Sequence, residues 1–140
     1  MKLTLDLIPK TSFYLNARSK LSANKWNAIS KKTAENANYK CEICNKFSLH
    51  LECHEIWQYK KGIQKLIKLA SLCNRCHEVK HFGLAEIRGR RAQALSHLMK
   101  INDISKEDAE AYIQKEFQIW LNRSKFKWDL DISLLDDIII

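Results

Sequence analysis

The 140 residues predict one α+β domain. Two C-x2-C pairs, Cys41-Glu42-Ile43-Cys44 and Cys73-Asn74-Arg75-Cys76, enclose a stretch that alternates like two strands around Lys60-Lys61-Gly62. Apolar residues recur at helical spacing on both sides of that stretch. Hydrophobic residues make up 46% of the chain, enough at this length for one sizeable core and too little for two full domains. The expected layout is an N-terminal segment and helix over 1–38, a cysteine-bounded core over 39–83, and helices with an apolar tail over 84–140.

The first nine residues read as a short extended segment. Pro9-Lys10 interrupts it before a secretory apolar region of roughly 7–15 residues forms. No apolar run approaches the roughly 20 residues needed to cross a bilayer, so a soluble, cytoplasmic chain with no membrane partner is expected. Ser22 or Asn24 caps a helix carrying Trp26, Ile29, Thr33 and Ala37 at helical spacing. Leu49, Leu51, Cys53, Ile56 and Trp57 follow in a strand-like stretch ending near Tyr59. Gly62 accepts the positive φ of a hairpin turn, and the return strand spans Ile63 to Leu69, with Leu66, Ile67 and Leu69 available for the core.

After the second cysteine pair, His77-Glu78-Val79-Lys80-His81 begins a short helix broken at Gly83. Ile87, Leu95, Leu98 and Met99 suit a further helix over about 90–101, opened by Gly89. Ser105 and Asp108 resemble a capping box for a helix over about 106–122, with Ala109, Tyr112, Ile113, Phe117, Trp120 and Leu121 on one face. Trp128–Ile132 alternates like a strand, and Leu134-Leu135 with Ile138-Ile139-Ile140 is too apolar to stay solvated. That tail either docks on the core or meets a protein partner or a second copy of the chain.

Lys and Arg number 24 against 16 acidic residues, a formal charge of +8 that favours an anionic partner such as nucleic acid. In a reducing compartment the paired cysteines are metal ligands rather than disulfides. Cys41, Cys44, Cys73 and Cys76 form the donor set of a structural Zn2+ site, since a C-x2-C turn lets two thiolates converge on one ion. The two turns are further apart than in a common zinc ribbon, which predicts a functional insertion between them. Cys53, the odd cysteine, faces the core at strand spacing. His54, His77 and His81 fall where a second ion fits, and the i, i+4 spacing of the last two puts both on one helix face.

Leu51-Glu52-Cys53-His54-Glu55-Ile56, followed by Leu72-Cys73-Asn74-Arg75-Cys76-His77-Glu78-Val79-Lys80-His81, resembles the HNH endonuclease family over about residues 39–83. The resemblance implies a zinc-braced ββα-metal module, here flanked by N-terminal and C-terminal helices, that hydrolyses DNA phosphodiester bonds with Mg2+ or a similar divalent ion. It makes His54 and His77 ligands of that ion, and His81 either a third ligand or a phosphate contact. Glu55 stands where the family has its general-base histidine, and Lys68 where an orienting asparagine falls. An alternative register makes His54 the base and Glu55 or Glu52 the ligand. Lys68 meets a phosphate, pairs with Glu55 or faces solvent.

Because the base histidine and the asparagine are replaced, a second expectation stands beside the enzyme: a catalytically impaired zinc module that binds DNA or a protein. Lys60 and Lys61 at the hairpin tip, Lys68, Arg75 in the second turn, Lys80, Arg88, Arg90 and Arg91 are the expected phosphate contacts. Trp57 and Tyr59 either stack on a base or pack internally.

Overall fold

Residues 1–138 are described by a computed structural model of mixed α+β architecture. A 3-10 turn at Lys10–Ser12 and helix α1 (Ala17–Lys20) precede α2 (Ala23–Asn36). Ser22 caps α2 by accepting the Lys25 N–H at 3.2 Å, and the helix buries Trp26 and Ile29.

Strands β1 (Glu52–Lys60) and β2 (Ile63–Leu72) then form an antiparallel hairpin. Its two-residue turn has φ +50° at Lys61 and +76° at Gly62, the consecutive positive values that match the twist of the strands. Ile56 pairs with Lys68 and Trp57 with Leu66, so Ile67 is an extra, bulged residue. Ile67 is 47% exposed and does not join the core, contrary to the expectation that it is available for it. The strand also runs past Leu69 to Leu72 and delivers Cys73 directly from the sheet.

Beyond β2 come α3 (Asn74–Lys80), α4 (Phe82–Ile87), α5 (Arg91–Asn102) and α6 (Lys106–Arg123). The break expected at Gly83 falls at His81, where φ −100° and ψ 53° end α3, and Gly83 lies inside α4. Ser105 caps α6 by accepting the Asp108 N–H at 3.1 Å. Ala109 and Ile113 are buried on α6, but Leu121 is 44% exposed. Each i+4 step drifts about 40° around a helix of 3.6 residues per turn, so Leu121 has rotated off the stripe that Ala109 begins.

Strand β3 (Asp129–Asp131) pairs parallel to β2, with Ile63 opposite Asp129. A 3-10 turn at Ser133–Asp137 follows. Ile132, Leu134 and Leu135 pack on a cluster of Ala17, Trp26 and Leu66, so the tail docks on its own chain. Ile139 and Ile140, the last of the apolar run, lie outside the described residues.

The main core joins Leu3 and Leu5 to Leu72, Val79, Phe82, Leu98 and Ile113. Residues 1–8 are held along it by long-range hydrogen bonds. Leu3 exchanges two with the Asn102 side chain at 2.9 and 2.8 Å, and the Asp6 N–H donates to the Lys80 carbonyl at 2.9 Å. Among the described residues no helix is long and apolar enough to cross a membrane.

Candidate metal centres

The first cysteine pair lies in a tight turn closed by backbone hydrogen bonds. The Cys41 N–H donates to Lys46 and the Asn45 N–H to Cys41, both at 2.9 Å, and Asn45 takes a positive φ of +66°. The second pair opens α3, where the Cys73 sulfur accepts the Cys76 N–H at 3.5 Å. The two turns meet because Glu42 clamps the end of β2. Its N–H donates to the Ser71 carbonyl at 3.0 Å, and its carboxylate accepts the Ser71 N–H at 2.5 Å.

As a result, the sulfurs of Cys41, Cys44, Cys73 and Cys76 lie within 4.8 Å of one another, close enough to hold one metal ion. Cys44 and Cys73 sulfurs are 3.7 Å apart. A tetrahedral thiolate site with bonds near 2.3 Å requires about 3.8 Å. A hydrogen bond from Cys76 brings the Cys41 thiol down to about 4, while the same bond, together with burial, pushes Cys76 up. A cation held by the four sulfurs would displace their protons. His97 reaches in from α5, its Nε2 3.2 Å from the Cys76 sulfur.

The second cluster lies across the sheet from α2. Alternation along β1 turns Glu52 and His54 towards α3, which carries His77 and ends at His81. The His54 ring centroid is 5.1 Å from those of both His77 and His81, which are 4.8 Å from each other. His77 Nε2 and His81 Nε2 are 3.2 Å apart, close to the roughly 3.3 Å expected of two nitrogens sharing a tetrahedral ion at 2.0–2.1 Å. His54 is 1% exposed, with Nε2 2.8 Å from Asp6 Oδ2 and a buried Nδ1 that has no hydrogen-bond partner. His77 Nδ1 is 3.3 Å from Glu52 Oε2. Burial holds His77 below its usual range, and burial with the neighbouring histidines holds His81 down at about 3. Both imidazoles are therefore neutral at pH 7 and offer lone pairs.

No family model, curated protein or solved structure matches the chain.

Several expected site residues stand elsewhere. Glu55, next to His54 on β1, points to the opposite face, where its carboxylate accepts the Arg18 N–H at 3.0 Å at the start of α1. It is therefore placed neither as a base nor as a ligand for the histidine cluster. Lys68 is 57% exposed and pairs with Glu42 at 3.1 Å rather than with Glu55. Lys80, expected on phosphate, is buried: its Nζ lies 3.2 Å from Asp6 Oδ2 and donates to Thr4 Oγ1 at 2.9 Å. Arg90 is held by Glu78, and Arg91 bridges Glu86 and Glu110. Lys60, Lys61, Arg75 and Arg88 are exposed and, among the described residues, carry no ion pair.

The aromatic residues pack. Trp57 joins the cluster around Leu66, while Tyr59 meets Trp128 edge-on at 5.1 Å beneath the Arg123 guanidinium. Cys53 also faces that side, 3.9 Å from the Thr33 hydroxyl and away from both metal centres.

Sequence reasoning missed Asp6 and His97. Each reaches its partner only through the tertiary fold, across 48 and 21 residues. Their only signal is residue type, a carboxylate in an apolar segment and an imidazole on a helix.

Proposed function

We propose that this chain is a zinc-braced, metal-dependent phosphodiester hydrolase of the HNH type that acts on DNA. The observation that carries the proposal is the trio of His54, His77 and His81, converging beside the four-cysteine cluster, with one His54 nitrogen buried and unsatisfied. Cys41, Cys44, Cys73 and Cys76 would hold the structural zinc, the ion that four thiolates in a tetrahedron favour. His54, His77 and His81 would hold the second ion. When bound, that ion would supply charge stabilisation at the scissile phosphate and a water of lowered pKa. Three imidazoles with no carboxylate in the set suit a zinc-like ion better than Mg2+.

The rim of the histidine cluster reaches solvent at His77 and Glu52, whose side chains are 20% and 48% exposed. DNA therefore approaches from that side. Lys60, Lys61 and Lys65 are exposed cations on the hairpin of this module that, among the described residues, carry no ion pair, with Arg75 and Arg88 beyond it. Lys68, Arg90 and Arg91 join them only by exchanging a carboxylate for a phosphate.

The test incubates supercoiled plasmid with purified protein and Zn2+, Mn2+ or Mg2+, beside a chelator control and a His77→Ala variant. Metal-dependent nicking that His77→Ala abolishes is expected; nicking that survives the substitution belongs to a contaminant. The zinc is tested separately. Its removal by a strong chelator is expected to unfold at least residues 41–82, since a structural zinc contributes on the order of 10 kcal/mol. An unchanged circular dichroism spectrum and Tm would refute it.

One observation favours a second reading, a DNA-binding module without catalysis: Glu55, in the position of the base, is engaged at α1. Salt-sensitive DNA binding with no nicking in any divalent metal would select it.

A further inference from the structure

The N-terminal segment contributes a carboxylate to the histidine cluster that no local motif announces. We infer that Asp6 is the positioning residue of this centre: by accepting a proton from His54 Nε2, it leaves Nδ1 as the atom that binds the ion. The inference rests on the proposal that His54, His77 and His81 hold a metal.

Asp6 Oδ2 lies 2.8 Å from His54 Nε2. An ionised carboxylate accepts and never donates, so a hydrogen bond at this distance puts the ring proton on Nε2. The lone pair is then on Nδ1, the buried nitrogen without a partner. A carboxylate behind a ligating imidazole is the usual means of fixing which nitrogen faces the metal.

Asp6 cannot readily swing away. Its N–H donates to the Lys80 carbonyl at 2.9 Å, and its carboxylate lies 3.2 Å from Lys80 Nζ. Lys80 is 6% exposed, and Leu5, next to Asp6, is buried. The helix that carries His77 and leads into His81 therefore also anchors the carboxylate that orients His54. Glu52 stands in the mirrored relation to His77: it faces Nδ1, leaving Nε2 turned towards His81. His54 thus binds through Nδ1 and His77 through Nε2, two different tautomers in one site.

Asp6→Asn tests the inference. The amide keeps the size of the carboxylate but can donate to Nε2, which moves the ring proton to Nδ1 and blocks the lone pair. Full-length protein carrying one zinc equivalent at the cysteines is titrated with Zn2+ against a chromophoric chelator. Wild type is expected to bind a second equivalent, and Asp6→Asn to bind it about 10–100-fold more weakly while retaining the first. A long-range 1H–15N histidine spectrum of the wild-type one-zinc protein gives a readout that does not require the variant to fold. It should place the His54 proton on Nε2. A proton on Nδ1, or an unchanged second affinity in Asp6→Asn, overturns the role of Asp6 alone. A wild type that binds only one equivalent overturns the histidine centre with it.

Discussion

His54 and Glu55 are neighbours on β1, and neighbouring residues of a strand point to opposite faces. One joins the histidine cluster, while the other offers its carboxylate to the first turn of α1. Burial raises the Glu55 pKa, yet a raised pKa does not make a base of a group that points away from the histidine cluster. Glu55→Gln is therefore expected to leave plasmid nicking unchanged. Glu55→Ala removes the acceptor and should cost about 1 kcal/mol, seen as a lower Tm. Loss of nicking in a well-folded Glu55→Gln would restore Glu55 as the base. The His54-Glu55 pair shows where a motif and a period disagree. The resemblance to the HNH family sets the two residues side by side as partners, whereas the strand period of 2, legible in the same six residues, separates them.

Among the elements, what was legible acts within a few residues. Ser22 and Ser105 cap their helices through amides three positions on, and Gly62 sits in the turn its conformation suits. What was not legible has no local mark: the bulge at Ile67 needs the partner strand, and the break at His81 falls on a residue that is neither Gly nor Pro. The hairpin turn matters beyond itself, because its register sets Glu52 opposite Leu72 and so brings the two cysteine turns together. Gly62→Ala puts a Cβ on a left-handed residue, a cost of about 1–2 kcal/mol that thermal unfolding should register. Lys61 already carries that strain at φ +50°. Lys61→Asn, a residue that tolerates this conformation, should raise Tm slightly while weakening DNA binding at low salt, since it removes an exposed cation from the tip. A rise in Tm with unchanged DNA affinity would remove the hairpin tip from the DNA-facing surface.

At the scale of the molecule, chain ends that are far apart in sequence complete the central module. Residues 1–8 lie along the core and place Asp6, while the tail adds β3 beside β2 and covers Trp26 and Leu66. The apolar content of the tail was legible; its destination was not, because a parallel pairing across four intervening helices leaves no local signature. Whether the tail serves the fold or an assembly is a measurable difference. Deleting residues 128–140 removes Trp128, whose indole donates to the Arg123 carbonyl at 3.0 Å, and uncovers the patch under Ile132, Leu134 and Leu135. Each apolar side chain lost from that contact costs about 1–2 kcal/mol. At roughly 3 °C per kcal/mol for a chain of this size, Tm should fall by about 10–20 °C. The uncovered patch should also make the shortened chain associate in size-exclusion with light scattering, because exposed contiguous apolar surface seeks a partner. If the tail instead held an oligomer together, the same deletion would turn a larger species into a monomer.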